Sequence, residues 1–296
     1  MIQIVPIIYT WGVGGKTLNK GENTMYKIIA CDLDETLLND NREISKENKE
    51  AIAKAKALGV KFVPSTGRAF NTVDDTLKEL ELYDAVDEYI ISFNGGAITE
   101  NKGNKLLHFQ GISFDLASEL FKRGIKYDVC IHVYTIDKVY IYRYIDEERE
   151  YLEGRMQIIE FFTPDIEFLK GQEIVKVIYM NKDYDYLKQI EEAYVDLKDQ
   201  IDISYSSNRY IEFNHKGVSK GQGLLSLANL LDVNIKDTIA IGDNFNDLSM
   251  IQMAGLGVGV KNAAEGIKSD CNYITSSTNN ESAIAEVIEK FILNEK

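Results

Sequence analysis

The sequence predicts an α/β protein: a mostly parallel sheet layered with helices, interrupted by an inserted α+β segment. Three observations lead there. From Met25 onward, apolar runs of strand length alternate with segments of helical period, the pattern of a parallel sheet covered on both faces. That alternation breaks near residue 107, where period-two patterning and tyrosines take over, and it returns near residue 218. Several apolar runs stop abruptly at polar residues, and ligands in open parallel sheets sit beyond the carboxyl ends of the strands.

Taken in order, the first strand is Ile28-Ile29-Ala30-Cys31, which runs into Asp32-Leu33-Asp34-Glu35-Thr36. In extended backbone, residues two apart point the same way, so Asp32 and Asp34 are expected to present both carboxyls on one side. Carboxylates that close repel, and burial raises the pKa of one unless a cation or ligand intervenes. Ser45 suits the N-cap of a helix carrying Ala51, Ile52, Ala55 and Leu58 and ended by Gly59. A second strand, Val60-Lys61-Phe62-Val63-Pro64, stops at Ser65-Thr66-Gly67-Arg68. A helix through Val73, Leu77, Leu80 and Leu82 leads to a strand at residues 89–92, and Asn94-Gly95-Gly96-Ala97 suits a tight turn.

In the insert, residues 129–145 alternate as two strands about Asp137-Lys138. Tyr140, Tyr142 and Tyr144 share one face, with Val139 and Ile141 on the other. The tyrosine face is the candidate substrate-facing side, weighed against sheet packing, the commoner reason for such a stripe. Residues 173–180 are expected as a strand, 185–197 as a helix and 202–213 as a hairpin about Ser206-Ser207-Asn208. The first pattern resumes with a helix through Leu224, Leu227, Ala228 and Leu231, then the strand Thr238-Ile239-Ala240-Ile241-Gly242, stopping at Asp243-Asn244-Phe245-Asn246-Asp247. A helix with Leu248, Met250 and Ile251, short strands at 256–260 and 273–275, and a closing helix at 282–293 complete the chain.

Composition narrows the function. The chain has 296 residues, 45% hydrophobic and 27% charged, as in an ordinary globular protein with room for two domains. A net charge of −14 argues against nucleic acid or an anionic membrane as partner. Cys31, Cys130 and Cys271 are scattered without a C-x-x-C, which excludes a zinc or disulfide framework and fits a cytoplasmic protein. No run reaches the roughly 18 to 20 apolar residues of a membrane span.

Residues 1–24 read differently. Gly12-Val13-Gly14-Gly15-Lys16-Thr17 resembles a P-loop, but Thr10 stands where the first glycine belongs and no helix pattern follows. Lys20-Gly21-Glu22 can be encoded by a ribosome-binding sequence just ahead of Met25. The segment is therefore expected to be a non-native or disordered extension.

Four polar groups arrive at strand or helix ends in a fixed order: Asp32 with Asp34, Thr66-Gly67-Arg68, Lys220, and Gly242-Asp243 with Asn246-Asp247. Singly, each has a plain reading as a turn, a solvated lysine or a helix cap. Together, as D-x-D-x-T, a Thr before Gly, a lysine and G-D-x-x-N-D, they resemble a haloacid dehalogenase-superfamily phosphatase. The subgroup is the Cof type with a C2-type cap, and the resemblance runs from Met25 to the C-terminus.

The resemblance implies a Rossmann-like three-layer core at residues 25–106 and 209–296, with an α+β cap at 107–208. It implies that Asp32 is the nucleophile, forming an aspartyl-phosphate, and that Asp34 is the general acid and base. Thr66, Gly67, Lys220 and Asn246 would bind the substrate phosphate. Mg²⁺ would be held by Asp32, the Asp34 main-chain carbonyl and Asp243, with Asp247 in support. The expected activity is hydrolysis of a small phosphorylated metabolite such as a sugar phosphate. Phosphoryl transfer to a second hydroxyl, or an idle phosphate-binding regulator on the same fold, are the alternatives.

Overall fold

The computed structural model describes residues 26–154 and 156–293, so the expectations for residues 1–24 lie outside it. β1 (Ile28–Cys31) is buried at every position and ends one residue before Asp32. A tight turn over Leu33–Leu37 follows, with Glu35 in the left-handed region at φ 58. α1 (Lys46–Ala57) begins where expected, the Ser45 side chain accepting from the Asn48 amide. β2 (Lys61–Pro64), the short α2 (Asp74–Glu79) and β3 (Tyr89–Ser92) come next. β4 (Ala97–Glu100) and β5 (Lys105–Phe109) extend β3 into an antiparallel meander.

The insert contains α3 (Phe114–Gly124), β6 (Cys130–Thr135), β7 (Val139–Tyr142), α4 (Asp146–Leu152) and β8 (Ile158–Phe161). It continues with β9 (Ile174–Met180), α5 (Tyr184–Glu191), β10 (Ile201–Ser206) and β11 (Tyr210–His215). The chain then returns through α6 (Lys220–Leu230), β12 (Thr238–Gly242), α7 (Leu248–Met253) and β13 (Leu256–Gly259). α8 (Glu265–Lys268), β14 (Tyr273–Ile274) and α9 (Ala283–Phe291) close it.

One sheet is fully parallel, in the order β14-β13-β12-β1-β2, which puts β1 and β12 side by side near its centre. A parallel bridge between Ser65 and Ile91 joins this sheet to the β3-β4-β5 meander. Alternate β1 residues serve opposite cores, which makes the fold three-layered. Ile29 and Cys31 pack with α1 and α9, while Ile28 and Ala30 pack with Leu224 and Leu227 of α6 and Met250 of α7. The second large sheet, β10-β11-β9-β6-β7-β8, is antiparallel except for the parallel β7–β8 pair. Among the described residues, no helix is long and apolar enough to cross a membrane.

Two expectations about the insert change. The boundary expected at 208–209 falls inside the β10–β11 hairpin, where Ser206 pairs with Tyr210, and the one at 106–107 falls inside β5. Ladder pairing carries each strand to its end, so the chain crosses between sheets near 110–112 and 215–219. The tyrosine stripe also faces away from the parallel sheet. Tyr142 packs edge-on to Phe121 of α3 at 5.2 Å, and Tyr140 meets Phe168 at 5.5 Å, both within the helix-covered core. Tyr144 lies past the end of β7 and packs on the other side. The stripe is sheet packing, and the opposite face, with Val139 and Tyr134, looks onto the cavity described below.

Candidate active site

The site begins at the carboxyl ends of β1 and β12. Asp32 follows β1 directly and Asp243 follows β12; they are 7% and 5% exposed. Asp247 is brought beside them because the chain turns back at Gly242. A Cβ on Gly242 would lie 2.4 Å from the Cβ of Asp247, so only glycine admits this approach. Asp247 then accepts the Asp243 and Asn244 amides on Oδ2, at 3.0 and 3.1 Å. Asp32, Asp243 and Asp247 each bring a carboxylate oxygen to within 4.8 Å of the others.

Lys220 is the counter-charge. It is the first residue of α6, capped by Ser219, and is fully buried. Its ammonium donates to Asp32 Oδ1 at 2.5 Å and to Asp247 Oδ1 at 2.6 Å. The start of α6 reaches this depth because the Asn94-Gly95 turn packs against it. A Cβ on Gly95 (φ 97) would fall 2.1 Å from the Ser219 carbonyl oxygen.

Electrostatically the trio is under-compensated, three buried carboxylates facing one ammonium. Burial pushes Asp32 up to about 8, although Lys220 opposes it. Burial likewise pushes Asp243 up to about 6, against a hydrogen bond from Thr36 Oγ1 at 2.7 Å. For Lys220, burial works to lower the pKa, but Asp32 and Asp247 outweigh it and the ammonium is held above its usual range. A hard divalent cation with oxygen ligands fits this donor set: it supplies the missing positive charge and keeps the carboxylates ionised.

Asp34 does not join the trio. The strand ends at Cys31, so the extended-backbone argument stops applying, and the two carboxylates diverge. Asp34 is paired with Arg68 instead, Nε donating to Oδ2 at 2.9 Å and Nη2 to Oδ1. Thr66 is buried behind β2, its Oγ1 accepting the Arg68 amide at 3.1 Å. Asn246 is exposed, its Nδ2 donating to Asn94 Oδ1 at 3.4 Å, and Asn94 also borders Gly67. Asp34, Gly67 and Arg68 line a cavity of about 580 Å³, closed from the other side by Tyr134, Lys138, Tyr151, Met156 and Lys176. Sequence reasoning passed over Arg68 as a partner for Asp34, Thr36 as a donor to Asp243, and Tyr134 and Lys176 as cavity walls. The fifth position of D-x-D-x-T signalled Thr36; nothing in the sequence marked Lys176.

An open parallel sheet that gathers buried carboxylates around one lysine at its strand ends offers a setting suited to metal-assisted phosphoryl transfer. The family model of the haloacid dehalogenase-like hydrolases matches residues 29–288. YxeH of Bacillus subtilis is 33% identical over 270 residues, covering 91% of this chain and 99% of its own. The 5-amino-6-(5-phospho-D-ribitylamino)uracil phosphatase YcsE of the same organism is 32% identical over 279 residues, covering 92% and 98%. A haloacid dehalogenase-like hydrolase from Bacteroides thetaiotaomicron superposes with a TM-score of 0.78 at 28% identity, over 90% of this chain and 99% of that one. The chain belongs to the haloacid dehalogenase superfamily, and within it to the Cof-type phosphatases.

Proposed function

We propose that this phosphatase hydrolyses a small phosphomonoester in two steps at Asp32, with Mg²⁺ as cofactor. The observation that carries the reading is the buried trio of Asp32, Asp243 and Asp247 braced by Lys220 at adjacent strand ends. An Asp32 oxygen attacks phosphorus, the ester P–O bond breaks, and an aspartyl-phosphate forms. Asp34, once it has left Arg68 and taken up a proton from solvent, gives that proton to the departing alkoxide, then takes one from the water that releases phosphate. Its carboxylate must leave Arg68 to do so, and the cavity shared by both gives it room. Thr66, the Gly67 amide and Asn246 donate to the phosphoryl oxygens, while Lys220 holds Asp32 in line and offsets its charge. Asp32, the Asp34 main-chain carbonyl and Asp243 would hold the Mg²⁺, with Asp247 behind them; bound there, the cation draws charge from the phosphoryl group.

The second sheet and its helices act as a cap over this centre, spanning about 111–216. The two crossovers that carry it lie together, Gln110 Nε2 meeting His215 Nδ1 at 3.1 Å. Cap closure excludes water and brings new contacts to the leaving group.

Turnover of p-nitrophenyl phosphate tests the reading. Activity is expected with Mg²⁺, little of it with Ca²⁺, and none in EDTA or in Asp32→Asn. Comparable turnover in Asp32→Asn, or full activity in EDTA, overturns it.

A further inference from the structure

The cap wall facing the active site carries one feature that sheet stability does not require. β9 is buried at all seven positions, and Lys176 is its only charged residue. Lys176 is 7% exposed, yet it lines the cavity that Asp34 and Arg68 line from the other side. Its ammonium donates to Glu212 Oε2 on neighbouring β11 at 2.6 Å, and the other Glu212 oxygen accepts the Ser206 hydroxyl. Burial works to raise the Glu212 pKa, but Lys176 and Ser206 outweigh it and hold the carboxyl below its usual range. A buried ion pair of this kind adds little to stability over apolar residues of the same volume. What it does supply is an ammonium fixed in direction.

An ammonium has three N–H donors. Among the described residues Lys176 has one hydrogen-bond partner, Glu212, which leaves donors for whatever fills the cavity. Tyr134, beside Lys176 in the ladder, sets its ring 5.1 Å from the same nitrogen and forms an apolar floor there. Among the described residues the charges of the wall come out close to even. Arg68 faces Asp34, Lys138 lies 3.6 Å from Asp137, and Lys176 is matched by Glu212, with Arg42 and Glu35 at the exposed edge. A wall whose described charges balance in this way favours a neutral oxygen over a second phosphate or a carboxylate, and Lys176 has a donor for one.

We infer that Lys176, aimed by Glu212, is the residue that selects the leaving group, donating to an oxygen of an uncharged, hydroxylated alcohol whose carbon skeleton rests on Tyr134. The inference rests on the phosphatase reading above. Lys176 is a specificity residue on the cap, remote from the reacting phosphorus, and Glu212 is a positioning residue.

The test compares kcat/KM of wild type, Lys176→Met and Glu212→Gln on four esters: a pentitol 5-phosphate, a hexose 6-phosphate, 3-phosphoglycerate and p-nitrophenyl phosphate. Wild type should favour an uncharged polyol ester over 3-phosphoglycerate. Losing one charge-assisted hydrogen bond should cut kcat/KM on that preferred ester roughly 10- to 100-fold in Lys176→Met. Turnover of p-nitrophenyl phosphate, whose leaving group lacks hydroxyls, should stay within about 3-fold. Glu212→Gln should shift selectivity the same way by less. If Lys176→Met unfolds because Glu212 is left buried and unpaired, Lys176→Met/Glu212→Leu removes both charges and should fold and show the same selectivity loss. Equal losses on all four esters, an unchanged order of preference, or a wild-type preference for 3-phosphoglycerate overturns the inference while leaving the phosphatase reading standing. A wild type that turns over none of the four overturns both.

Discussion

Asp247→Asn exposes how the charged centre is held together. Asp247 is fully buried and uses both oxygens, Oδ1 for the Lys220 ammonium at 2.6 Å and Oδ2 for the Asp243 and Asn244 amides at 3.0 and 3.1 Å. Every one of those neighbours is a donor. Asparagine has the same shape but one acceptor, so either orientation of its amide turns an NH2 towards donors. If the NH2 faces the amides, two backbone N–H groups lose their acceptor; if it faces Lys220, an ammonium does. A buried donor left unsatisfied costs about 1 to 3 kcal/mol. Lys220 keeps Asp32 as a partner at 2.5 Å, so its charge stays compensated and a loss of about 1 to 3 kcal/mol is expected. At roughly 2 °C per kcal/mol for a chain of this size, Tm should fall by about 2 to 6 °C. Urea unfolding in EDTA reads the effect without help from bound metal. A loss below about 1 kcal/mol would show that Asp247 is not the acceptor tying Lys220 to the β12 loop.

Other changes should behave differently. Tyr142→Ala removes a ring from the helix-covered core and should cost about 3 kcal/mol in urea unfolding, while relative rates across a panel of phosphate esters stay unchanged; a changed order of substrates would return the tyrosine face to the site. Glu286 works through pH. Burial opposes it, but the Tyr273 hydroxyl, the Ser276 and Ser277 amides and the Ser276 hydroxyl hold its carboxyl down at about 2. A carboxyl depressed in the fold contributes stability above its unfolded pKa of about 4.5, and that stability is lost as pH falls from there towards 2. Because the group is only partly buried and solvent screens it, about 1 kcal/mol is expected. Glu286→Gln should flatten the stability profile below pH 4.5, and an unaltered acid limb in thermal melts would show that the carboxyl does not carry it.

The parallel core was legible because several signals coincide there. Ser45 caps α1 as its position ahead of Ala51 and Ile52 suggests, and the strands at Ile28, Tyr89 and Thr238 stop at the residues where polar groups begin. The order of Asp32, Thr66, Lys220 and Asp243 along the chain also announced the charged centre. The cap was half legible. Period-two patterning separates Tyr140 and Tyr142 from Val139 and Ile141, but parity cannot say which set meets helices, because that depends on where α3 and α5 dock. For the same reason nothing marked Lys176, whose partner Glu212 lies on another strand of the sheet. The expected shared direction of the Asp32 and Asp34 carboxyls failed for a local reason: the turn at Leu33–Leu37 replaces the strand on which the argument depended.

The two crossovers have a consequence for ancestry and engineering. Gln110 and His215 touch, although more than a hundred residues of cap separate them in sequence. Fully extended, a residue spans at most about 3.3 to 3.6 Å, so a handful of glycines and serines could rejoin the severed ends without straining the parallel sheet. The cap is a cassette with its entry and exit side by side. It can be exchanged for another without re-threading a single core strand, so the insert and the parallel sheet are free to vary on separate stretches of one gene.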